Sequence, residues 1–157
     1  MKLTATEEGA LDIEEIPAFL FRLLQAAPLR AASSDPRVES RFFPAPAQDE
    51  LLVEDWKSFV QPELQAAFLS AREVVQADLR SASELDDGFS MKILPNHMDP
   101  WLGTLNQARL AIAEENHFGE QDLSEEISPD TSDPRSISLF QINFYGFLQE
   151  CLVKMQD

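Results

Sequence analysis

The sequence predicts an all-α, mostly helical fold: one domain over residues 1–157, a bundle of about five helices, with a small β-hairpin or sheet from the N-terminus and residues 89–94. Three observations carry this expectation. Apolar residues recur at three- and four-residue spacing in several separate stretches, the pattern of one buried helix face. Asp or Asp-Pro stands before several of those stretches, as a helix N-cap and first turn favour. Five glycines among 157 residues are few for the many tight turns of an all-β chain. A hydrophobic content of 44%, with 11 phenylalanines, is enough to fill one core, and the length is too short for two good ones.

Along the chain, Lys2 to Ile13 holds two partly alternating runs around Gly9, the pattern of a hairpin. Ile16, Phe19, Leu20, Leu23 and Leu24 then predict a core-facing helix from Glu14 to Ala27, with Pro17 in its first turn and Pro28 after its end. Asp35-Pro36 opens a short helical turn to Phe42, stopped by Phe43-Pro-Ala-Pro46. Asp49 caps a helix to Val60 with Leu52, Trp56, Phe59 and Val60 as its apolar face. Pro62 breaks or kinks that helix and starts the next, to Ser81, striped by Leu64, Ala67, Phe68, Ala71, Val75 and Leu79.

Asp86-Asp87-Gly88 predicts a turn and Phe89 to Leu94 a strand pairing with the N-terminal hairpin. A helix capped by Asn96 or Asp99 follows to Asn116, with Trp101, Leu102, Leu105, Ala108, Leu110 and Ile112 apolar. Residues 119–133 lack periodicity and are expected as a mobile acidic loop. Asp133-Pro134 opens the last helix, to Met155, with a broad apolar face that includes Phe144, Phe147, Leu148 and Cys151.

Charge excludes some functions. Twelve basic against 28 acidic residues leave a formal charge of −16, which repels phosphate backbones, so no nucleic-acid partner is expected. Eight acids and no Lys or Arg fall between Glu114 and Asp133. No stretch approaches the roughly 20 apolar residues that span a bilayer, so no membrane partner is expected. An acidic N-terminus and a single cysteine suit a cytoplasmic protein.

The linear signatures of phosphate-binding loops, dinucleotide-binding turns, zinc sites and nucleophile elbows are absent from the sequence. No catalytic residue, cofactor or metal is therefore assigned. Cys151 falls on an apolar stripe and reads as a small buried hydrophobe. His97 and Asp99 lie at one end of a helix, and Glu114, Glu115, His117 and Glu120 at the other. The ends are about 30 Å apart, so one metal cannot use both, and solvated charge is the better reading. Phe42, Phe43, Trp56, Phe59, Phe68 and Tyr145 are core by default, with an exposed partner-binding patch as the alternative.

One constellation stands out. Arg109 follows Leu105 by four residues and Leu102 by seven, interrupting a stripe that should be buried, with Asn106 one turn before it. A buried guanidinium needs a partner. Gln149 and Glu150 on the last helix supply candidates, and an Arg109–Glu150 ion pair completed by Asn106 and Gln149 is expected. It serves as a structural polar network fixing how two helices dock, or alternatively as a ligand site.

Several of these pieces occur in a characteristic order: Arg41-Phe-Phe-Pro44, the Trp56 to Leu64 region, Trp101-Leu102, Leu105-Asn106, Arg109-Leu110, and Tyr145 with Phe147-Leu-Gln-Glu150 and Leu152-Val153. In this the chain resembles, over nearly its whole length, a bacterial family known as domain of unknown function number twenty-seventeen. Ala111-Ile-Ala-Glu-Glu115 departs from the Gly and second Arg-Leu pair that the family pattern places there. The resemblance brings no catalytic or binding residues. Members are often encoded beside the adaptor of the Clp protease, which implies an accessory role in protein turnover. The functional expectation is a non-enzymatic accessory or adaptor protein whose partner is another protein, the acidic surface favouring a basic one. The alternative is a small enzyme or ligand-binding protein using a pocket around Arg109 and Glu150.

Overall fold

A computed structural model describes residues 1–44, 48–124 and 130–157. The chain runs β1 (Lys2–Ala5), β2 (Leu11–Ile16), α1 (Ala18–Ala31), α2 (Pro36–Phe42), α3 (Glu50–Asp55), a π-helical turn (Trp56–Val60), and α4 (Gln61–Arg80). It continues through β3 (Ser83–Leu85), β4 (Gly88–Ile93), a 3-10 turn (Pro95–His97), α5 (Met98–Glu115), α6 (Glu120–Leu123) and α7 (Pro134–Gln156). The mostly helical expectation holds, but all-α is too narrow. The hairpin and the strand after Gly88 join with β3 into a four-stranded antiparallel sheet ordered β1-β2-β4-β3. β3 carries three exposed residues and no apolar alternation, so nothing in its sequence announces a strand.

The sheet puts one face on the helices. Leu11, Ile13, Ile16, Met91 and Ile93 are buried there, while Lys92 reaches Asp12 at 3.4 Å on the other face. A bulge sits between Ile13 and Ile16, with Glu15 at a φ of 53°. The extra residue changes the inward spacing from two to three, so Ile16 falls at helical distance from Phe19 although it ends a strand. For that reason the first helix starts at Ala18 and not at Glu14. Its far end also differs from expectation: Pro28 lies buried within α1, which continues to Ala31. Phe21 of α1 stacks on Phe89 of β4 at 4.1 Å, joining helix and sheet.

α5 is the central helix, packed by α1, α2, α4 and α7. Its buried residues form a wide face, Met98, Trp101, Leu105, Ala108 and Ile112 along one stripe and Thr104, Gln107 and Ala111 along the next. α7 adds Leu139, Ile142, Phe144, Tyr145, Leu148 and Leu152, whereas Phe147, expected inside, is 46% exposed. Asp35, Asp49 and Asp133 cap as read, each accepting from the backbone N–H two residues on. However, α5 is not capped by Asn96 or Asp99: it starts at Met98 after His97 with no side-chain cap bond, and Asp99 lies in its first turn, accepting from Gln156. In the acidic segment α6 and its neighbours are ordered against α7, with Arg135 donating to Asp122 at 2.8 Å and lying over the Phe118 ring. The remainder of that expected loop, residues 125–129, lies outside the described residues.

Tyr145 ties α7 to α1. Its hydroxyl donates to the Leu23 carbonyl and accepts from the Gln141 amide at 2.6 Å, and the ring is fully buried. Burial raises the phenol's pKa far above its ordinary value. The neutral folded form therefore contributes stability that is complete below about pH 10 and is lost as pH rises beyond it, because the unfolded chain ionises first. Tyr145→Phe should cost about 1–3 kcal/mol at pH 7, because it leaves the buried Gln141 amide without its acceptor and takes one of two donors from the Leu23 carbonyl. Urea melts at pH 7 and above pH 10 should show the variant losing less stability with alkali than the native chain.

Candidate functional site

Three places concentrate polar or uncovered groups. The first is the constellation between α5 and α7. Arg109 lies half-buried across Gly146, where an added Cβ would stand 3.4 Å from its Cζ. Its Nη1 donates to Gln149 Oε1 at 2.7 Å, and Gln149 Nε2 donates onward to the Leu102 carbonyl at 3.2 Å. One amide thus uses its oxygen for the cation and its nitrogen for backbone, which fixes its orientation. The expected Arg109–Glu150 ion pair is not formed; among the described residues no carboxylate lies within 4 Å of Arg109. Glu150 and Asn106 are exposed, and neither bonds to Arg109. On a helix, neighbours point about 100° apart, so Gln149 faces α5 while Glu150 faces solvent. A shallow groove of about 420 Å³ runs along this seam between Leu102, Val153 and the stems of Arg109 and Lys154.

The second place was not foreseen. Asp78, on α4 and 7% exposed, accepts from Trp101 Nε1 at 2.8 Å and from His97 Nδ1 at 2.9 and 3.1 Å. A carboxylate only accepts, so Nδ1 of His97 carries the proton in this bond. His97 is not the solvated charge that its sequence context indicates. It helps to fasten the end of α4 to the start of α5 around the fully buried Trp101. An imidazole oriented by a carboxylate is one half of a general-base system. Among the described residues, no hydroxyl or thiol bonds to its other nitrogen to supply a nucleophile. The available signal was Asp78's place three residues after Val75 on the apolar stripe of α4, the same kind of interruption that drew attention to Arg109.

Cys151 is half-buried, and burial pushes its thiol pKa up, the reverse of an activated nucleophile. Glu114 and Glu115 are bound by Arg41 and Arg30, each at 3.1 Å, joining α2 and α1 to the end of α5. No group of three His, Cys, Asp or Glu among the described residues comes together to hold a metal ion.

The third place is an arm. α3, the π turn and α4 form one continuous helical stretch of about 45 Å at roughly 1.5 Å per residue. Pro62 has no N–H to give the Ser58 carbonyl, and the chain stays helical by widening the turn before it. Gln61 N–H bonds to the Trp56 carbonyl, five residues back. The main contacts of α3 and the π turn are with each other and with α4, and neither contains a buried residue. The apolar face expected to enter the core is therefore largely uncovered: Leu52 is 54%, Phe59 71% and Val60 43% exposed, with Trp56 half-buried, and Leu51 beside them is exposed as well. Burial returns only along α4, at Val75 and Leu79. At the root of the arm, Phe43 meets Phe68 at 5.4 Å beside a cleft of about 210 Å³ that Phe42 also lines. Of the undecided aromatics, Tyr145 is core, Phe42, Phe43, Trp56 and Phe68 are half-buried, and Phe59 is surface.

These features define a mostly α-helical protein with a small antiparallel sheet, a central helix locked by buried polar contacts, and a helical arm whose apolar face is left open. The chain belongs to the family of the domain of unknown function DUF2017, whose model matches residues 3–156. No curated protein matches it, and no solved structure does. No helix among the described residues is long and apolar enough to cross a membrane.

Proposed function

We propose that this protein is a non-enzymatic accessory or adaptor protein that acts by binding another protein through the arm. The observation that carries the reading is the exposure of Leu51, Leu52, Phe59 and Val60 on a helical stretch whose main contacts are with itself and with α4. Burying one such side chain stabilises a contact by about 1.5–3 kcal/mol, so a folded chain that leaves several in water has a surface suited to association. The cleft at the root, with Phe42, Phe43 and Phe68, extends this surface towards the body. The Asp78 cluster fastens the far end of α4, from which the arm extends, to the start of α5.

Affinity capture from a native lysate at low and moderate salt, comparing the native chain with a Leu52→Ser/Phe59→Ser double variant, tests the proposal. A specific partner should be retained by the native chain and lost by the variant. The variant's stability should remain within about 1 kcal/mol of native, at about 0.5 kcal/mol for each substitution outside a core. No specific partner under either condition, or equal capture by both chains, would count against it.

One observation favours a second reading, a ligand-binding protein or small enzyme using the α5–α7 groove. The Arg109 guanidinium meets a neutral amide there, and no carboxylate among the described residues pairs with it. Lys154 lines the same groove with Glu150, so two cations face one acid, an arrangement suited to a small anionic group. A thermal shift with small carboxylates that disappears in Arg109→Met would support that reading.

A further inference from the structure

Resting on the arm as the binding surface, we infer that the partner segment is a basic amphipathic helix, with an apolar residue packed on Phe59 and Lys or Arg one turn to either side of it. The charges of the arm argue for this. Between Asp49 and Glu63 the chain carries Asp49, Glu50, Glu54, Asp55 and Glu63 against Lys57 alone. Asp55 and Glu63 stand four residues before and four after Phe59, on the helix rows that flank it. The exposed ring is therefore bracketed by carboxylates along the helix axis.

None of these five carboxylates pairs with a Lys or Arg among the described residues. The contrast is with Glu114, Glu115 and Asp122 on the body, each already neutralised by an arginine from another element. The arm's acids are left for an outside cation. A second copy of this chain fits poorly, because it would bring five acids against five, and like charges at one interface disfavour it. A helical partner suits the surface, since an exposed helix with apolar residues at three- and four-residue spacing packs against another by the same rows.

The test uses the full chain and an 18-residue synthetic helix with Leu and Phe along one face and Lys on the rest. Two controls accompany it: a scramble of the same charge with no apolar face, and an acidic version with Glu for Lys. Trp101 is sealed in the core, so Trp56 reports on the arm. The basic amphipathic peptide should shift Trp56 emission to shorter wavelength. Its affinity should fall by at least about tenfold in Phe59→Ser and in Asp55→Lys/Glu63→Lys, and should fall with added salt. In that double variant the arm carries three acids against three lysines, so the acidic peptide should bind it better than it binds the native chain. Equal binding of the scramble, an unchanged affinity in Asp55→Lys/Glu63→Lys, or self-association through the arm in sedimentation would overturn the inference. If the peptides fail while lysate capture remains dependent on Leu52 and Phe59, the partner's chemistry is wrong and the adaptor reading stands. If capture fails as well, both fall.

Discussion

Trp101→Ala is expected to lower the stability of the fold by about 3–5 kcal/mol, the range for deleting a large buried aromatic side chain. For a domain of this length that is a fall of roughly 6–20 °C in thermal midpoint, at about 2–4 °C per kcal/mol. Two effects add. The indole is fully buried, so its removal leaves a void on the central helix. Its Nε1–H is also one of the side-chain donors to Asp78, so the substitution strips a buried carboxylate of a partner and leaves it to His97. Trp101→Phe separates the two, keeping most of the volume and deleting the donor. It should cost distinctly less than Ala, about 1–3 kcal/mol. Chemical denaturation of the three chains checks both figures, and equal losses for Phe and Ala would assign the whole effect to the hydrogen bond.

Gly88→Ala should be comparably severe, for reasons of backbone and not of packing. Gly88 has a φ of 129°, in a region that L-residues with a side chain rarely adopt, and strain of that kind costs about 1–3 kcal/mol. In addition, a Cβ there would stand 2.5 Å from the Ile16 carbonyl oxygen, a backbone atom that cannot swing aside. β2 and β4 meet here, with Ile16 paired to Phe89, so relief requires the sheet to part beside the stacked Phe21 and Phe89 rings. A loss above about 3 kcal/mol follows, which for a chain of this length lowers the thermal midpoint by at least roughly 6–12 °C. Circular dichroism melts provide the measurement; a variant as stable as the native chain would contradict this view of the β2–β4 junction.

The sequence made helix ends easier to read than what covers a helix. Asp35-Pro36, Asp49 and Asp133-Pro134 were legible because capping is local chemistry within two or three residues. Ile16 misled because a bulge and a helix put the same three-residue interval between apolar side chains. Asp86-Asp87-Gly88 announced a turn, but the approach of Ile16 to Gly88 is a long-range fact that no local pattern contains. The stripe of Leu52, Trp56 and Phe59 looks like the stripe of Trp101, Leu105 and Ala108; only the tertiary packing tells that the first is uncovered and the second enclosed.

The polar groups teach the same lesson. Arg109 was recognisable as a charge on a buried stripe, and its contact with Gln149 on α7 is present. The choice between Gln149 and Glu150 depended on the rotation of α7, which adjacent residues do not encode. Asp78 carried the same signal as Arg109, yet its partners are 19 and 23 residues away on another element. The uneven acidity also reads differently in three dimensions. Part of the dense stretch after Glu114 is paired, while the sparser acids of the arm are not.

The most direct test of the arm as a docking surface is photo-crosslinking in the native cell from a reactive side chain placed at Ser58, an exposed position beside Phe59. The proposed role predicts one discrete adduct with a different protein, lost when Leu52 and Phe59 are replaced by serine. Adducts only between copies of this chain, or none from position 58 while a probe on the exposed face of α7 captures a partner, would contradict it.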